Sequence, residues 1–433
     1  YALGATLHHL LTRRDPRLEP PFTFDQKPIK EFNADVPDGL AVIVMRALAY
    51  DPAERYASAE AMKQSLESLR SNNMVAVPDQ AAAPQPGYNT PVAPAGASSP
   101  SVPAPAVIRP PAADNVLPIW SFKVEDAVRS TPLIYNGVVY IGAYDNNLWA
   151  LDAREGSLIW KFPTDGGIGS SPAYAGGLIF IGSEDHRLYA VDARSGTRRW
   201  SQTTDGRIYT TPYPALGLVF FGSDDANLYA VKPSASGRVM WNFTTTGPIR
   251  SSPRVHEETI FFGCDTGEFY AITVSGEMRW RFRARRSVIS TPLVRDQMIY
   301  FGSYDWYLYA LDVETGYNHW RFATRKQVVS SPAYHNGKIY FGSADGNLYA
   351  VDALGGREVW RHEVQDAITS SPTIYRDSVY FGSTDGALYC VHAETGDLLW
   401  RFQSDGPILS SPRVENNIVY VGSDDHHIYA LPV

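Results

Sequence analysis

Two basic pairs, Arg285-Arg286 and Arg325-Lys326, stand on either side of Tyr304-Asp305-Trp306-Tyr307. Four cations beside three aromatic rings can hold an anionic or ring-bearing ligand, through charge-assisted hydrogen bonds and cation–π contacts, or form a protein hot spot. The competing reading is a solvated loop cluster. Aspartate recurs at 145, 185, 225, 305, 345, 385 and 425, with Asp265 one place out of step. A ring of carboxylates invites a metal, but aspartate in a tight turn satisfies its own backbone, and that is the expectation here. His426-His427 and His186 have no further ligand at fixed spacing, so no metal site is expected. Cys264 and Cys390 are the only cysteines, too few for a disulfide scaffold, and read as small core residues. Hydroxyl pairs such as Ser170-Ser171, Ser330-Ser331 and Ser370-Ser371 could accept phosphate, yet their regular recurrence points to strand entry.

Most of these residues fall on a fixed beat, so the positioning elements must repeat too. Eight tryptophans, Trp120, Trp160, Trp200, Trp241, Trp280, Trp320, Trp360 and Trp400, recur at intervals of 39–41 residues. In phase with them run a hydroxyl-Pro pair, from Thr131-Pro132 to Ser411-Pro412, and a glycine closing an apolar run, from Gly142 to Gly422. One copy, residues 328–364, divides into four short β-rich runs around turns at Asn336-Gly337, Asp345-Gly346 and Gly355-Gly356. Four strands per repeat of about 40 residues is a propeller blade. A lone strand at Ile119–Val124 and another at Ile428–Leu431 would complete the eighth blade from both ends of the repeats, closing the ring. The expected fold is mostly β, with an eight-bladed propeller over 116–433.

Residues 71–115 hold ten Pro and eleven Ala but only three charges, which predicts a disordered tether. Residues 1–70 carry helical periodicity at Ala2–Leu11, Gly39–Tyr50 and Ser58–Leu69, with Ser58 as N-cap. The first of these has no cap, which suggests a cut piece. With 38 basic against 46 acidic residues, the chain offers no broad basic surface for nucleic acid. It has no apolar run long enough to span a bilayer and no leader, so a soluble, cytoplasmic chain is expected.

Residues 1–70 resemble the end of the C-terminal lobe of bacterial serine/threonine protein kinases. The resemblance lies in YALGATLHHLLT (1–12), PF (21–22) and LAVIVMRALAYDPAERYASAEAMKQSLESL (40–69). It implies that Arg55, in DPAERY, is the structural arginine that pairs with a glutamate of the activation segment. The Gly-rich loop, strand lysine, HRD and DFG motifs are not in this sequence, so ATP and Mg would belong to the parent kinase and this chain is expected to be catalytically incomplete.

The repeats resemble the pyrroloquinoline-quinone-type (PQQ-like) propeller, through an eleven-residue docking motif. Ala150–Gly156–Trp160, Ala190–Gly196–Trp200, Ala310–Gly316–Trp320 and Ala350–Gly356–Trp360 keep it, and Cys390–Gly396–Trp400 keeps its spacing. The eight tryptophans are therefore expected to be structural. The resemblance opens a quinoprotein-dehydrogenase reading, but no adjacent cysteines or calcium-binding carboxylates can be mapped, and no bound PQQ is expected. The favoured expectation is the C-terminal part of a serine/threonine kinase whose propeller is a sensor or protein-interaction module. The alternative is a non-enzymatic scaffold similar to outer-membrane assembly proteins.

Overall fold

The computed structural model describes residues 7–8, 11–12, 29–33, 36–49, 55–56, 58–70, 113–234 and 236–433. The chain divides into two units, 1–104 and 105–433. In the first, α1 (Ile29–Phe32), α2 (Asp38–Ala47) and α3 (Ala59–Arg70) form a small apolar cluster. Val44, Ala41 and Leu48 pack on Ile29 and Val36, while Ile43 and Ala47 meet Met62. Ser58 caps α3 as expected, its Oγ accepting the Ala61 N–H at 3.2 Å. Arg55 donates from Nε to the Ala49 carbonyl at 2.7 Å, tying the following loop to the end of α2. The predicted Ala2–Leu11 helix lies mainly outside the described residues, although 7–8 and 11–12 are helical. The expected tether lies outside them up to residue 112. No helix among the described residues is long and apolar enough to cross a membrane.

The second unit is an eight-bladed propeller. Blade 1 runs Leu133–Tyr135, Val138–Gly142, Asn147–Asp152 and Leu158–Pro163, all antiparallel, and the pattern repeats around the ring. Blade 8 combines Arg413–Glu415, Ile418–Gly422 and His427–Pro432 with Trp120–Lys123, in the register Trp120↔Ala430. This is the ring closure expected from the sequence. One strand was not foreseen: Ala113–Asp114 lies inside the expected tether, yet pairs in parallel with the outer strand of blade 7, Ala113 against Trp400.

The docking motif splits its work between blades. The motif alanine pairs with its own tryptophan across one sheet, Ala150↔Trp160, and the glycine receives the indole of the blade before. At Gly316 the backbone has φ +69°, and a Cβ there would stand 2.5 Å from Trp280 Cε3. Seven indoles donate from Nε1 to a carbonyl 33 residues on, from Trp120 to Ala153 (3.1 Å) through Trp360 to Ala393 (2.9 Å). Trp400 packs on Tyr380, ring centroids 5.8 Å apart. The interfaces are buried stacks of apolar residues, such as Phe269 on Phe301 at 4.1 Å.

The hydroxyl pairs also divide their roles. The first hydroxyl is buried and in five copies bonds both ways to the glycine of the second strand, as Ser170 Oγ does with Gly182 N and O at 2.8 Å, while Ser251 and Ser410 donate instead to the Ser290 and Ser130 carbonyls of the next blade. The second accepts a backbone N–H from the preceding blade, Thr131 N to Ser171 Oγ (2.9 Å) and Ser331 N to Ser371 Oγ (2.9 Å) among others. These bonds stitch neighbouring inner strands together and account for the recurrence without any modification.

Candidate functional site

The recurrent aspartate is a clamp between blades as well as a turn residue. Asp345 Oδ1 accepts the Asn347 N–H (3.1 Å), Oδ2 accepts the Tyr349 hydroxyl (2.9 Å), and Oδ2 also takes the Arg325 N–H from the preceding connection (2.9 Å). Burial and the neighbouring carboxylate push the tyrosine hydroxyl up, so it stays a donor. Trp149 replaces that tyrosine in blade 1, and its Nε1 reaches Asp145 Oδ2 at 3.1 Å. In blade 4 the shifted Asp265 leaves Thr266 in the turn, and Glu268 does the clamping. Buried Glu268 accepts from Tyr270 (2.6 Å) and from Thr246, with Arg281 at 3.7 Å and Arg283 at 3.9 Å. Those hydroxyl bonds, Thr246 foremost, hold its pKa below the usual carboxylate value.

Against this frame the predicted cluster is well defined. The Arg285 N–H bonds Asp305 Oδ2 at 2.9 Å, Ser303 Oγ donates to the Arg286 carbonyl at 3.1 Å, and Tyr304 N donates to Ser287 O at 2.9 Å. On the other side, Thr324 donates from both N and Oγ1 to the Trp306 carbonyl at 2.9 Å, and from Oγ1 to the Lys326 carbonyl at 2.6 Å. The Trp306 turn is thus laced by backbone to both basic segments. Arg285, Arg286, Arg325 and Lys326 are all exposed and form no ion pair among the described residues.

Trp306 occupies the left-handed turn position, φ +76°, where other blades carry Gly346, Gly386, Asn146, Ala226, His186 and His426. A bulky aromatic residue is an outlier there. The turn also loses a hydrogen bond: Asp305 Oδ1, whose counterpart elsewhere accepts the N–H two residues on, is buried without a partner. The indole itself is 46% exposed. A strained, incompletely bonded turn therefore holds a large ring out to solvent, between four unpaired cations.

The two tyrosines do not share this surface. Tyr307 stacks beneath Arg321, 4.5 Å from guanidinium to ring, and Tyr304 is half-buried with Asp265 and Arg250 as its charged neighbours. Cys264 and Cys390 are buried, free and in different blades; burial pushes the Cys390 thiol up to about 12. His427 Nδ1 lies 3.0 Å from the Asp425 carbonyl and belongs to the turn.

A second constellation escaped sequence reasoning. The second residue after each strand-ending glycine, and the residue before each hydroxyl pair, meet at the channel mouth. Arg129 forks onto Asp424 (2.9–3.2 Å) and lies 5.2 Å over the Tyr144 ring. Arg250 contacts Asp224 at 3.0 Å and Asp265 at 3.4 Å, and lies 5.4 Å over Tyr209. Burial raises the Asp265 pKa despite Arg250, and its Oδ1 has no partner. The matching positions elsewhere are Gly169, Tyr209, Ile289, Val329, Thr369 and Leu409, so only blades 1 and 4 carry an arginine there. Its signal in the sequence is variation at otherwise periodic places.

The repeats match a family profile described as outer membrane protein assembly factor BamB, over residues 113–166, 150–252, 224–387 and 345–432. The chain belongs to this PQQ-like family. No curated protein sequence matches the chain. Among solved structures, BamB from Moraxella catarrhalis aligns with TM-score 0.65 and 18% identity, over 73% of this chain and all of that one. The computationally designed Ika8 protein gives 0.65 and 15%, covering 72% of this chain and 98% of that one. A europium-containing methanol dehydrogenase gives 0.64 and 14%, covering 73% and 93%. At these identities the likeness shows the fold alone, and family membership is compatible with catalytic and non-catalytic members alike.

Proposed function

We propose that the propeller is a protein-docking module, recognising an acidic segment through Trp306 and its four basic neighbours, in the C-terminal part of a cytoplasmic serine/threonine kinase. The observation that carries the docking reading is the strained Trp306 turn. Natural folds keep backbone strain where it serves a site, and an exposed indole among cations is the composition of an interface hot spot. The kinase reading rests on the resemblance of residues 1–70, with Arg55 in the DPAERY loop. Pull-down with the full chain should recover an acidic partner that Arg285→Glu with Arg325→Glu, or Trp306→Ser, no longer binds. Retained binding in both would refute the docking site.

A second reading is favoured by the family match: a non-enzymatic scaffold, similar to the outer membrane assembly factor after which the profile is described. The two readings part on the coding sequence upstream of Tyr1. HRD and DFG motifs there would establish the kinase; a secretion leader would establish the scaffold.

A further inference from the structure

The parallel strand on blade 7 shows how an outer edge takes an added segment. Ala113 stands opposite Trp400 and Asp114 opposite Arg401, and the Val116 N–H donates to the Arg401 carbonyl at 3.1 Å. The other seven outer strands have a free edge among the described residues, a row of unpaired N–H and C=O groups. The outer strand of blade 4, Met278–Arg283, repeats the Trp-Arg pair as Trp280-Arg281 and carries exposed arginines at 279, 281 and 283. No other blade has arginine at more than one of these three places. Alternation puts the three on one face of the sheet, about 6–7 Å apart. Trp280 and Phe282 take the opposite face and pack against Gly316 and Phe301 of blade 5. Arg281 and Arg283 share one carboxylate, the buried Glu268, at 3.7 and 3.9 Å, and Arg279 has no ion pair among the described residues. The chain then runs through Ala284 into Arg285-Arg286, beside the Trp306 turn.

We propose that the outer edge of blade 4 binds an acidic segment of a partner protein as an added parallel strand, its carboxylates at alternate residues opposite Arg279, Arg281 and Arg283. Main-chain hydrogen bonds along a sheet edge hold any extended segment, and side chains at period two select its sequence. Three guanidinium groups with one carboxylate among them select aspartate or glutamate. Blade 7 carries the same choice, since its register sets an aspartate opposite the arginine that follows the tryptophan. Parallel addition carries the C-terminal end of the segment toward Arg285-Arg286 and Trp306. The partner is the one inferred for that surface, so the strand site rests on the docking reading and adds to it a conformation and a direction.

The test is fluorescence anisotropy of the full chain with a labelled peptide alternating valine and aspartate, at fixed ionic strength. It should bind about tenfold tighter than the same residues arranged in two blocks, and Arg279→Gln and Arg283→Gln should each weaken it about tenfold. Arg199→Gln, on the outer strand of blade 2, should leave it unchanged, and Arg279→Gln, which breaks no ion pair, should melt like wild type. N-methylation of alternate peptide amides faces the edge in one phase and solvent in the other, so one phase should abolish binding and the other keep it. Strand addition is overturned if the two peptides bind alike, if the two phases act alike, or if binding survives both glutamine substitutions. Arginines that only guard the edge against aggregation would give those results. If Trp306→Ser releases the acidic partner in pull-down while Arg279→Gln and Arg283→Gln do not, the strand site falls and the Trp306 surface stands. If the peptide results hold while Trp306→Ser releases nothing, the Trp306 surface falls and the strand site stands.

Discussion

Gly316→Ala should be among the most damaging one-carbon additions in the molecule, and the structure says by how much. The backbone at Gly316 has φ +69°, so any side chain costs about 1–2 kcal/mol in that left-handed conformation. The new Cβ would also stand 2.5 Å from Trp280 Cε3 and 2.8 Å from Cδ2. The indole is rigid, and its Nε1 is held by the Val313 carbonyl at 3.0 Å. Moving it strains the packing by about 1–3 kcal/mol and weakens a hydrogen bond of about 0.5–1.5 kcal/mol. The expected loss is about 3–6 kcal/mol. Gly337→Ala is the internal control, since it has φ +76° but nothing within 4 Å of the added carbon. It should lose only the conformational part, about 1–2 kcal/mol. Across residues 113–432, an unfolding entropy near 2.1 cal/mol/K per residue makes each kcal/mol about 1.5 °C. Scanning calorimetry should therefore place Gly316→Ala about 5–9 °C below wild type and Gly337→Ala about 2–3 °C below. Equal losses in the two variants would refute the claim that the glycine exists to seat the indole.

Glu268→Gln removes the charge from the clamp of blade 4, at a cost of about 2 kcal/mol at pH 7, because charge-assisted bonds from Thr246 and Tyr270 become neutral ones. Its folded pKa is depressed, so the contribution is present above the unfolded value near 4.3 and is lost as pH falls through the folded one; denaturation curves of variant and wild type should converge in acid. Ser171→Ala leaves the Thr131 N–H without its acceptor, and about 1–3 kcal/mol should disappear in urea unfolding. Cys390, with its thiol held near 12, should react with thiol reagents at pH 8 only after unfolding, and fast labelling of the native chain would contradict its placement.

The fold was legible because packing imposes period. Trp, hydroxyl-Pro and Gly recur since each serves one neighbour-to-neighbour contact, and a contact used eight times writes itself eight times into the sequence. The closure strand at Trp120–Lys123 was legible for the same reason. The parallel strand at Ala113–Asp114 was not, because it occurs once and in a proline-rich stretch whose composition argues against order. Tyr304 and Tyr307 were grouped with the basic pairs by adjacency along the chain. Alternation along the turn and strand sends one toward Arg250 and the other under Arg321. Sequence neighbours in a tight turn share a face only when the turn geometry lets them.

Function in such a ring must be sought where a repeat breaks its own rule, and the breaks differ in kind. Asp265 breaks register, and the structure repairs it: Glu268 takes over the clamp, while Asp265 is released to pair with Arg250 at the mouth. That break is compensated in the clamp, although Asp265 Oδ1 stays without a partner. Trp306 breaks the left-handed turn, and nothing inside the blade repairs it, since Asp305 Oδ1 stays unpaired and the indole stays half in solvent. Uncompensated breaks of the repeat are the places to seek something outside the chain that completes the structure.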